Sequence, residues 1–183
     1  MNIPSTSQRP NEEFTATIKF PDGDFEFKAN KINIQKSVDI SGSECWTIMA
    51  FQEILKDTAA KIDRDNLKEV IAIHLHIPRE TLNDDQMLVT GLPPPPETKP
   101  PTPLTLNKNS GNLFKIVDKE ADPRHLIDTI ENYLGIFGQI TYSWDADQTR
   151  ITGTFLLFVS GSNQKIIPIK GNFNLLNRAL HPI

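Results

Sequence analysis

Leu67-Lys-Glu-Val-Ile-Ala-Ile-His-Leu-His-Ile-Pro78 is the stretch on which the fold class turns. Leu67, Val70, Ile71 and Leu75 recur at intervals that lay an apolar stripe along one side of an α-helix. The spacing predicts a helix that starts at Asp63 or Asp65 and ends before Pro78, because the residue preceding a proline is pushed out of the α region. Pro78 to Leu82 then reads as a further turn, and Met87, Leu88 and Val89 lead to Gly91. Upstream, Ser41 to Glu44 runs into an N-cap, and Ile48, Phe51, Leu55, Ala59 and Ile62 give a second helical stripe after Trp46.

Before these helices the pattern changes to alternation. Phe14, Ala16, Ile18 and Phe20 alternate with Thr15, Thr17 and Lys19, as on a half-buried strand. Pro21-Asp-Gly-Asp24 supplies a turn, Phe25 to Lys28 alternates again, and Lys31 to Lys36 adds a third run. The expectation for residues 13–92 is therefore a β-meander packed by two helices, preceded by a flexible tail at 1–12.

Seven of the fourteen prolines fall between Pro93 and Pro103. Proline fixes φ and lacks an N–H, so this run predicts a polyproline II spacer about 30 Å long. It divides the chain into 13–92 and a second module at 104–183. Alternatively, Pro94 and Pro101 lie in segments able to dock on an aromatic groove of a partner.

In the second module, Leu113 to Val117 is a short strand, and Asp122-Pro123 gives an N-cap followed by proline at the first helical position. Leu126, Ile127, Ile130, Tyr133, Leu134 and Phe137 form a helical stripe closed by Gly138. Gln139 to Trp144, Arg150 to Val159 and Lys165 to Lys170 read as strands, with a short helix around Phe173 to Leu180. The order β-α-β-β-β is a two-layer α+β sandwich, analogous in topology to ferredoxin-like and ligand-sensing ACT domains. Pro168 marks its strand as an edge, or as ending there.

Residues Leu67 to Asp85 resemble the first helix and following loop of acyl carrier proteins. That family carries its phosphopantetheine arm on the serine of an Asp-Ser-Leu motif, where this chain has Leu92-Pro-Pro-Pro-Pro96. No carrier chemistry, and no family membership, follows from the resemblance.

Charge narrows the partners. Residues 1–92 carry ten Lys/Arg against fifteen Asp/Glu, a net of −5; residues 93–183 carry nine against eight, a net of +1. Neither half offers a basic face for nucleic acid. No window is apolar enough for a membrane helix and the first residues have no leader pattern, so a soluble, cytoplasmic protein is expected. The single cysteine, Cys45, suits a reducing compartment.

The candidate catalytic and metal patterns are incomplete. On a helix His74 and His76 point roughly 200° apart and cannot share an ion, although on a strand they would lie on one face. Asp145 and Asp147 begin like a calcium loop, but Thr149, Arg150 and Leu156 stand where the later ligands and glycine belong, which leaves a hairpin turn. Ser41 to Ser43 and Ser160 to Ser162 are turns without a nucleophile elbow. No cofactor motif is present.

One apolar feature remains. Thr154-Phe-Leu-Leu-Phe-Val159 is uncharged and strongly β-prone, a composition that requires a central or covered strand. Phe155, Leu157 and Val159 lie on one face, Leu156 and Phe158 on the other, and a single helix covers only one of them. These residues point to a non-enzymatic interaction protein, an adaptor or assembly subunit, that binds a protein partner or a second copy through Phe155, Leu156, Leu157 and Phe158. Two alternatives are a small-ligand sensor with an ACT-like second module, and an enzyme using Cys45 or His74.

Overall fold

Ile71, Ile73, Leu75 and Ile77 lie on one side of a strand, and all four are buried. β-Branched side chains two residues apart fit the pleat of a sheet, and here they outweigh the helical spacing of Leu67, Val70 and Ile71. In the computed structural model, which describes residues 12–38, 44–55, 67–78, 83–90, 111–117, 129–161 and 165–177, every regular element is a strand. They are β1 (Glu13–Phe20), β2 (Gly23–Lys28), β3 (Lys31–Val38), β4 (Glu44–Leu55), β5 (Leu67–Pro78), β6 (Asn83–Thr90), β7 (Gly111–Val117), β8 (Thr129–Trp144), β9 (Arg150–Ser160) and β10 (Ile166–Leu176).

The expected α+β pair of modules is thereby overturned. As far as Leu55 the helix expected after Trp46 is β4, from Leu67 the next expected helix is β5, and Ile130, Tyr133, Leu134 and Phe137 of the third stripe belong to the 16-residue β8; Ala59, Ile62, 63–66, Leu126 and Ile127 lie outside the described residues. Of the short helix expected around Phe173 to Leu180, Phe173 to Leu176 continue β10, and 178–180 lie outside the described residues. Among the described residues of 104–183 no helix lies across the sheet as an ACT-like topology requires, and Leu67–Pro78 is a strand rather than a carrier-protein helix. The proline run 93–103, with Pro94 and Pro101, lies outside the described residues, as does 1–11 of the expected tail. Glu12, by contrast, is buried, and its Oε1 accepts the N–H of Leu176 at 3.0 Å.

All pairings are antiparallel, and nine strands follow one path, β2-β1-β10-β9-β8-β7-β5-β4-β3, with β6 beside β8. Residues of the two sequence halves are therefore interleaved: β1 pairs with β10, and β5 with β7. They share a single core, in which Phe14 packs against Phe27, Phe155 and Phe173, and Trp46 meets Trp144 at 5.4 Å.

The sheet curls into a half-barrel, and its curl is visible at two places. β8 pairs with β7 through Thr129 to Tyr133, then with β6 through Phe137 to Ser143, with an irregularity on its β9 side between Gly135 and Phe137. Such an extra residue bends a strand and sharpens its twist. At the other place Ala29 and Asn30 carry the chain from β2 straight into β3, the two ends of the path. Ala29 N–H donates to the Phe14 carbonyl at 3.0 Å and Asn30 N–H to that of Phe51 at 2.8 Å. The Asn30 side chain accepts the Glu53 N–H at 3.1 Å and donates to its carbonyl at 3.2 Å, completing the corner as a ladder residue would.

β1, β2 and β3 occupy the three expected alternating runs, but β3 leaves the hairpin and pairs with β4. The turn before β2 needs Gly23, whose φ of 147° is open to glycine and strained for other residues. β9 is central, between β8 and β10. Pro168 lies in an interior strand, one step beyond the last β1–β10 pair, Ile18–Ile169, so its missing N–H costs that ladder nothing.

Candidate functional site

Alternation divides β8, β9, β10 and β1 into an inner and an outer face. Ile151, Phe155, Leu157 and Val159 of β9 are buried inward, and so are Ile167, Ile169 and Phe173 of β10. Outward, antiparallel register assembles rows across the sheet. Phe137, Phe158 and Pro168 form one; Gln139, Leu156, Lys170 and Thr17 form the next; Thr141, Thr154, Asn172 and Thr15 a third.

The first row is aromatic. Phe137 and Phe158 stack with centroids 4.3 Å apart and planes 17° from parallel, yet Phe137 remains 48% exposed. Leu156, 40% exposed, and Ile166, 54% exposed, extend the apolar shelf. Beside it runs an open groove of about 690 Å³, lined by Gln139, Thr154, Lys170, Thr17, Lys19 and Asp24 among others. Lys19 meets Asp24 at 3.7 Å, a solvent-exposed pair of little energetic weight. The Thr17 hydroxyl donates to the Glu26 carboxylate at 3.1 Å. Lys170 is exposed and makes no ion pair among the described residues.

Of the residues expected to bind a partner, Phe155 and Leu157 therefore face the core, whereas Leu156 and Phe158 stand on the outer face. Phe137, Ile166 and Lys170 join them there. The helical spacing that ends at Phe137 hides its pairing with Phe158; alternation through Phe137, Gln139, Thr141 and Ser143 is the signal in the sequence that reveals it.

A second polar constellation lies in the other half of the sheet. On a strand His74 and His76 do share a face, and their ring centroids are 4.3 Å apart. Thr47 Oγ1 lies 3.1 Å and Cys45 Sγ 3.9 Å from His76 Nδ1, because Thr47 is the cross-strand partner of His76. Asn112, the partner of His74 on β7, accepts the Gly135 N–H at 3.1 Å. Cys45 and His76 are 0% exposed and His74 6%. The His74 Nε2 finds no hydrogen-bond partner, and burial pushes its pKa down to about 4, so the ring is neutral at physiological pH. Among the described residues no group of three His, Cys, Asp or Glu side chains has the arrangement to hold a metal ion.

Asp145 serves the β8–β9 turn. Its Oδ1 accepts the N–H groups of Thr149 at 2.7 Å and Arg150 at 3.1 Å, and its Oδ2 the Thr149 hydroxyl at 2.6 Å. These bonds, led by that of the Thr149 side chain, hold its carboxyl below the usual range.

The fold and this surface define a curled sheet, all-β among the described residues, whose outer face combines an aromatic shelf with a polar groove. Compared with family models, with curated proteins and with solved structures, the chain shows no significant match. Among the described residues no helix is long and apolar enough to cross a membrane.

Proposed function

We propose that this chain is a non-enzymatic binding protein, an adaptor or assembly subunit, that docks a protein partner or a second copy on the outer face of β8, β9 and β10. The observation that carries the proposal is the stacked Phe137–Phe158 pair, held open to solvent beside Leu156 and Ile166. Aromatic rings bury large areas at a small entropy cost and dominate the centres of protein interfaces. Contiguous apolar surface on a sheet whose inner face is already filled has no packing role within the sheet. A reducing cytoplasm suits the lone, buried Cys45.

A photoreactive phenylalanine analogue placed at Leu156 tests the proposal in the cells that make the protein. The expected result is a discrete crosslinked adduct, absent when the same group replaces Asn33, which is exposed on β3 in the opposite arm of the sheet. Equal labelling from both positions would remove the face from consideration.

A further inference from the structure

We infer that the groove beside the Phe137–Phe158 shelf takes an extended acidic segment of a partner protein, with an apolar side chain on the shelf and a carboxylate two residues away on Lys170. The inference rests on the proposed docking function and deepens it.

Register sets the spacing. Lys170 lies two residues along β10 from Pro168, and Pro168 shares its row with Phe158 and Phe137. Two residues of strand cover roughly 6.6 Å, and side chains i and i+2 of an extended segment leave the same face at that interval. A segment lying along β10 therefore reaches the shelf with one side chain and Lys170 with the next on that side.

Charge sets the sign. Lys19 and Asp24 line the groove as a pair, and the Glu26 carboxylate beside it is bonded by the Thr17 hydroxyl, so the sign is set by Lys170, in a chain whose formal net charge is −4. Asp24 is already beside Lys19, whereas Lys170 has no acidic partner among the described residues. Covering an ammonium group with a neutral or basic segment strips its water without a replacement, which is costly; a carboxylate supplies the replacement. Gln139, Thr154 and Asn172 offer amide and hydroxyl groups around Lys170 to the segment's own backbone.

The probes are three labelled octapeptides that differ at one position, Ser-Thr-Xaa-Thr-Phe-Thr-Val-Ser with Xaa as Glu, Gln or Lys, titrated by fluorescence anisotropy onto the full chain at low and high salt. The Glu peptide is expected to bind about tenfold tighter than the Lys peptide, with the gap narrowing as salt screens it. Lys170→Glu is expected to reverse that order, which a variant that merely unfolds cannot do, and Phe137→Ser to weaken all three peptides alike. An unchanged Glu-to-Lys ratio in Lys170→Glu, or no binding by any peptide, overturns the acidic-segment inference. It leaves the docking face standing if the Leu156 crosslink persists, and both fall if that crosslink is also missing. Sedimentation showing a dimer that Leu156→Asp dissociates would assign the groove to a second copy and likewise overturn the inference.

Discussion

Imidazoles that bury a nitrogen without a partner make a protein sensitive to acid. His74 is such a residue: its Met49 and Asn112 cross-strand neighbours, the His76 ring and the Phe114 ring 6.1 Å away bring it no carboxylate. With its pKa at about 4 in the fold against 6.5 for the free side chain, the unfolded chain binds the extra proton between those values. The contribution is thus whole above pH 6.5 and is lost as pH falls from 6.5 towards 4, with an upper bound of about 3 kcal/mol. Urea midpoints compared at pH 7 and pH 5 should fall for the wild type and fall less for His74→Gln; parallel losses in the two proteins would show that His74 is not the cause.

Among elements, β8 is the one on which the sheet pivots, and glycines let it do so. A Cβ at Gly135 would collide with the Gly111 carbonyl oxygen, and one at Gly138 with that of Leu156. Gly135→Ala is expected to cost about 1–3 kcal/mol, the range for overpacking. Hydrogen exchange would locate the damage, with protection lost first in Gly111–Val117; an unaltered exchange pattern and melting temperature would show that the strands part without cost. Gly138, which resembles a helix C-terminus in sequence, is thus a point of close strand approach. Strands with one wet face were legible without coordinates: β1 and β2 alternate cleanly, and so does β9, whose two apolar faces were separable by register. β4 and β5 were not, because Cys45, Trp46, Thr47 and Ile48 are buried in succession, as are Ile71 to Ile77. A strand buried on both sides loses the polar alternation that distinguishes it from a helix. His74 and His76 share a face only on a strand, so a helical reading of this stretch separates them. The outer site was half legible, since Leu156 and Phe158 lie on a clean strand, whereas Phe137 was hidden by the helical spacing of Ile130, Tyr133 and Leu134.

For the whole molecule, interleaving decides what can fold alone. β7 needs β5 and β10 needs β1, so each half of the chain leaves unpaired strands in the other. Residues 104–183 produced alone are expected to give a collapsed amide spectrum without a cooperative thermal transition, and to regain dispersion when mixed with 1–103; a dispersed spectrum from 104–183 alone would contradict this. Pairings so distant in sequence also make folding slow, because long loops must close before any ladder rewards them. One consequence of the β1–β10 ladder is mechanical. Glu13 is the cross-strand neighbour of Asn174, and Glu12 holds the Leu176 N–H, so the outer ends of the described chain lie side by side. Tension applied at these two ends loads the ladder one rung at a time, as a zip, rather than shearing all its bonds at once, and the seam that joins the two halves of the sequence is also where a steady pull would begin to peel them apart.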